Sequence, residues 1–190
     1  MKPDLSAAAL IQFLRQYYPT GLWVDEPGYK ESEQLQRLLE EARKDTSAWK
    51  GFVQRVGEEF PHATLRDSTQ LFYDPCYRLR ISLPLPKEGE DARDELVCLV
   101  SLLAPAYVIY SSHTLKTGVS SEAWTRYPPL PPGLQPEEAR LAALIESTFG
   151  ATRLPNDVLF TPVPEMDPWG GNVGLGKARL IDLLFTEERW

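Results

Sequence analysis

The sequence predicts an α+β domain. Three apolar stripes at helical spacing occupy its first 60 residues, strand-like segments fill roughly 69–112, and a helix with clear start and stop signals covers 136–149. The strand-like block reads as an antiparallel meander of about four strands, covered on one face by the N-terminal helices and the 136–149 helix.

Each element has its own warrant. From Pro3 to Tyr18, Leu10, Ile11, Leu14 and Tyr18 recur with helical period until Pro19 stops the run. Between Ser32 and Lys44, Leu35, Leu38, Leu39 and Ala42 form one stripe, and Ser32 suits an N-cap. Between Ser47 and Phe60, Trp49, Phe52, Val53 and Val56 share a face, with Pro61 just beyond. "TQLFY" then opens the sheet, joined through the turn pair Asp74-Pro75 to residues 77–85. There Leu79, Ile81 and Leu83 alternate with Arg78 and Arg80. Residues 95–103 are apolar on both faces, as in a central strand, and 106–112 are rich in aromatic and β-branched residues.

Lys116 to Gln135 reads as a long Pro-rich crossover, extended and stiff. In the helix that follows, Pro136 sits where a first turn tolerates proline and Glu137 and Glu138 suit the dipole. Leu141, Leu144, Ile145 and Phe149 form its stripe, and Gly150 suits the position after its end. "NDVLFTPVP" is expected as a short edge strand, and 177–185 as a helix.

Composition sets the outer bounds. A chain of 190 residues, 43% hydrophobic and 25% charged, suits one globular domain over 1–190 and is a poor match to disorder. A net charge of -7 argues against nucleic acid, which requires a concentrated basic surface, and favours a basic protein partner. The N-terminal apolar run is broken by Gln12 and Arg15, unlike a secretory signal, and no segment reaches the ~20 apolar residues that span a bilayer. A cytoplasmic protein with no membrane partner is expected.

Three patterns suggest chemistry and each fails on context. "GGNVGLGKAR" has the spacing of a phosphate-binding loop, Gly171 through Gly176-Lys177. Yet Ala178 replaces the magnesium-binding hydroxyl, no apolar strand precedes the loop, and only 13 residues follow Lys177. At most, a helix starting there would hold an anion at its N-terminus. Cys76, Cys98, His62 and His113 lack the short paired spacing of a zinc site. With Cys98 placed opposite a residue near Ser82, Cys76 lies roughly 20 Å away at ~3.3 Å per residue, too far for a bridge. Ser111 and His113 share a strand face, but residues two apart project in parallel and no glycine elbow surrounds the serine. No cofactor and no metal are expected.

The segment 87–95 remains. Glu88, Glu90, Asp91, Asp94 and Glu95 face only Lys87 and Arg93, so a hairpin tip there would present a concentrated negative field. Trp23, Trp124 and Trp169 fall in expected connections, where aromatics serve as core plugs or interface anchors. The expectation is therefore a binding protein: a cytosolic inhibitor of the immunity type that masks a basic partner such as a toxin, with those five carboxylates as its contact residues. Two alternatives stand beside it. One is an enzyme with a composite site built from acids, His113 and Tyr107 or Tyr110; the other is a structural or adaptor subunit docking through the N-terminal helices.

Overall fold

Residues 96–100 are apolar and buried without a break, so both faces of the strand that carries them need cover. A computed structural model supplies that cover. It describes residues 3–186 apart from 24, 25, 28, 30, 31, 84–90, 118, 119, 169–172, 174 and 175; at 91–93, 115–117, 120 and 121 it describes the backbone alone.

Among the described residues, six strands and six α-helices follow in an α+β order, with three helices ahead of the first strand: α1 Ala7–Leu14, α2 Glu33–Lys44, α3 Ser47–Glu59, β1 Thr64–Asp67, β2 Cys76–Ser82, β3 Asp91–Ser101, β4 Ala106–Thr117, β5 Ser120–Arg126, α4 Gln135–Phe149, β6 Thr152–Arg153, α5 Asn156–Leu159 and α6 Leu180–Leu184. Strands β1 to β5 form an antiparallel meander in sequence order, and β6 adds a short parallel pairing to β4.

Helices lie on both faces of this sheet, not on one as expected. Alternation along β3 explains why. Val97 and Leu99 join Leu10 and Leu14 of α1, Leu35 and Leu39 of α2, and the buried residues of α6. Leu96, Cys98 and Val100 join Trp49, Phe52 and Val56 of α3 with Leu141 and Ile145 of α4. At ~25 cal/mol per Å² of apolar surface, burying both sides of a strand roughly doubles its contribution over a half-exposed one.

The helix ends follow the expected chemistry. The Ser6 and Ser32 hydroxyls accept from the backbone N–H groups of Ala9 and Gln34. Gly150 closes α4 in the left-handed region at φ 62°.

Four segments depart from expectation. "TQLFY" is a turn, because Tyr73 and Asp74 both donate backbone N–H bonds to the Gln70 carbonyl; β1 lies earlier, at Thr64–Asp67. The crossover is shorter than the expected 116–135, since β4 continues to Thr117 and β5 occupies Ser120–Arg126. "NDVL" is the helix α5, begun after Pro155 with Asp157 in its first turn. Cys98 registers with Leu79 rather than with a residue near Ser82, an offset of three residues along β2 from the partner assumed. The cysteines still stay apart, Cys76 in the core on the α1 side and Cys98 in the core on the α3 side.

Candidate functional site

Strand alternation divides the predicted acidic residues. Asp94 registers with His113, and Glu95 with Ser112, so their side chains leave opposite faces of the sheet. Glu95 is 7% exposed, on the α1 side. It accepts from the Ser82 hydroxyl at 2.7 Å and from Arg80 at 3.2 Å, and Arg66 stands 3.7 Å away. That carboxylate is committed internally and offers no outward charge. Asp91 begins β3 opposite Lys116. Glu88 and Glu90 lie outside the described residues, as does Trp169.

Asp94 belongs to a different group. On the α3 side, its carboxylate bonds the His113 Nδ1, and the His113 ring lies 4.1 Å from the ring of Trp124. The three residues form one row across β3, β4 and β5. The row lies one step beyond the buried Leu96; Asp94 and His113 are partly exposed, and Trp124 is 44% exposed. Glu122 and Arg126 flank Trp124 on the same side of β5.

A groove of about 490 Å³ adjoins this end of the sheet. The C-terminal end of α3 and the first turns of α4 form its walls, contributing Glu58, Glu59, Glu137 and Arg140, with Phe60 and Leu83 as apolar floor. Leu83 follows Ser82, whose partner is Glu95, so the groove lies at the same end of β2 and β3 as Asp94, although none of the row's residues lines it. Arg140 shows what this lining accepts: its guanidinium lies 4.5 Å over the Phe60 ring and 3.3 Å from Glu59. One carboxylate oxygen of Glu137 is buried with no hydrogen-bond partner among the described residues, an arrangement that costs free energy until a donor arrives.

The residues proposed for catalysis do not converge. Tyr107 points to the α4 side, where its hydroxyl donates to Glu146 at 2.6 Å; burial and then this bond push its pKa up to about 12. Tyr110 points to the α1 side, and burial raises its pKa further. Burial also raises both thiols, Cys98 to about 12. His113 is engaged by Asp94 rather than by Ser111. Among the described residues, no three His, Cys, Asp or Glu side chains are grouped to hold a metal.

Gly176 adopts φ 69°, but most of the glycine stretch lies outside the described residues. The helix after it begins at Leu180, three residues past Lys177, and its first turn already holds a carboxylate. Asp182 accepts from the Arg179 N–H at 2.8 Å and is 2% exposed. No helix among the described residues is long and apolar enough to cross a membrane.

Sequence alone missed the groove and the Asp94–His113–Trp124 row. The row needed the true length of β4 and the existence of β5, and a strand with both faces wet carries no apolar alternation. The chain matches no family model, no curated protein and no solved structure.

Proposed function

We propose that this protein acts by binding, and that its partner is a basic protein whose active surface it masks, in the manner of an immunity-type inhibitor. The observation that carries this reading is the acidic lining of the groove, whose Leu83 follows Ser82, the β2 partner of Glu95, and so lies toward the end of the sheet that carries the Asp94–His113–Trp124 row. Glu58, Glu59, Glu137, Asp94 and Glu122 outnumber Arg140 and Arg126 there, so the local charge matches the sign of the whole chain. A lysine or arginine from the partner can lay its stem on Leu83 and its head among the carboxylates, beside Arg140, which already covers the buried Phe60 ring. Trp124 supplies the kind of half-exposed aromatic anchor that dominates interface energetics.

This reading revises the contact set. Asp94 stays in it, Glu95 leaves it, and Glu58, Glu137 and Trp124 enter.

The test is capture of the partner from native extract at low ionic strength, followed by titration of the two purified proteins. Affinity should fall as salt rises. Trp124→Ala should weaken binding by ~30-fold, the size of an interface hot spot, and Glu58→Gln with Asp94→Asn by roughly 10-fold. Phe72→Ala, which alters an exposed aromatic at the other end of the sheet, should change nothing. A partner that binds all variants alike, or binds independently of salt, would overturn the proposal. So would recovery of a small molecule in place of any protein.

A further inference from the structure

We infer that His113 is a proton-gated contact for the basic partner. Its Nε2 accepts an N–H from a partner lysine or arginine while the ring is neutral, and protonation of the ring releases that side chain. This gate rests on the binding role proposed above and gives it a further contact residue and a condition for release.

Asp94 sets the gate. An ionised carboxylate only accepts hydrogen bonds, so its bond to the His113 Nδ1 places a proton on that nitrogen. In the neutral ring Nε2 then carries the lone pair. Nε2 has no hydrogen-bond partner among the described residues and is not one of their buried unpaired atoms, so it meets solvent. Trp124 packs against the imidazole with ring centroids 4.1 Å apart, which holds the ring by one face as Asp94 holds it by one edge. The acceptor is therefore fixed in place before any partner arrives.

The groups around the ring decide what protonation does. Asp94 comes from β3, Glu122 and Arg126 come from β5, and on β4 itself Ser111 and Leu115 flank the ring without charge. The row thus has one negative charge in excess while the ring is neutral and none once it is protonated. Glu58, Glu59, His62, Glu137 and Arg140 line the neighbouring groove and stand outside the row. One proton cancels the row's attraction for a cation and turns Nε2 from acceptor into donor. A partner ammonium or guanidinium would then meet an N–H of like charge, which disfavours the complex.

Two measurements test the gate. In the isolated chain, long-range proton–nitrogen NMR at about pH 8 reads the tautomer of each neutral imidazole. The chain has two histidines, so His62→Gln assigns both signals. His113 should carry its proton on Nδ1, and Asp94→Ala should turn it into a mixture of tautomers. A proton on Nε2 in the original chain overturns the inference and leaves the binding role standing.

With the captured basic partner, affinity should fall at least ~10-fold between about pH 8 and about pH 5.5, the range in which imidazoles ordinarily change charge. His113→Gln keeps a donor for Asp94 but takes up no proton, so it should abolish most of that fall. Titratable groups of the partner act equally on both chains and cancel in the comparison. An equal fall with His113→Gln overturns the gate, while a salt-sensitive complex would still support the binding role. Recovery of no basic partner overturns both.

Discussion

Arg80 donates to Glu95 at 3.2 Å on one face of the sheet, while Asp94, the preceding residue, meets His113 on the other. Two adjacent acids therefore have separable roles. Glu95→Ala leaves Arg80 buried without its counter-charge and removes the acceptor of the Ser82 hydroxyl. A loss of ~3 kcal/mol in unfolding free energy is expected, the scale for breaking a buried pair from one side. Asp94→Asn, at a partly exposed hydrogen bond to His113, should cost under ~1 kcal/mol. Chemical denaturation of both variants checks this, and equal losses would contradict the division between the faces.

Gly150 predicts a smaller, cleaner effect. Its φ of 62° is strained for any residue with a Cβ, while an added methyl would meet no atom within 4 Å. The cost of Gly150→Ala is therefore conformational and should be ~1 kcal/mol. The denaturation midpoint should shift while the slope stays constant, because the surface exposed on unfolding is unchanged.

These two residues mark the limits of what the sequence revealed. Gly150 was legible because local chemistry decides it: an apolar stripe ends at Phe149 and glycine follows. The α+β class and the helices at 32–44, 47–60 and 136–149 were legible for the same reason. Glu95 was not. In a segment of alternating charge its fate depends on where β3 begins, and a strand that starts at Asp91 instead of near residue 95 moves Asp94 and Glu95 from a loop tip to opposite faces. The turn at Phe72 and Tyr73 misled in the other direction. These residues have strand propensity, yet they are 69% and 62% exposed, with the Arg43 guanidinium stacked over the Phe72 ring. Partners from distant segments settled those positions, and one sequence does not display them.

The two cysteines give a kinetic prediction. Thiols react as thiolates, and burial holds both Cys76 and Cys98 protonated well beyond neutral pH. They lie in separate cores on opposite sides of the sheet, and the central strands β2, β3 and β4 contribute to both, which couples their opening. At neutral pH, a thiol-specific reagent should label the native chain slowly and at one common rate that tracks unfolding, and should label both at once in denaturant. Rapid labelling of one thiol in the native protein would reveal local opening of its side of the sheet.

Tyr107 links stability to pH. Burial, and then the hydrogen bond it donates to Glu146, raise its pKa from 10.0 to about 12, with Arg153 acting in the opposite sense. The unfolded chain releases this proton near pH ~10, whereas the folded chain keeps it. Between those values the native state binds more protons, so unfolding free energy must fall as pH rises. The contribution is complete below pH ~10 and is lost on approach to about 12. Tyr107→Phe should lower stability by ~1 kcal/mol at neutral pH through the lost hydrogen bond, leaving Glu146 solvated at the surface. It should also flatten the alkaline limb, so that the two stability curves converge as pH rises through this window. Denaturant titrations at stepped alkaline pH check the convergence. Parallel curves would mean that the hydroxyl is not held in the buried, neutral form on which this relationship rests.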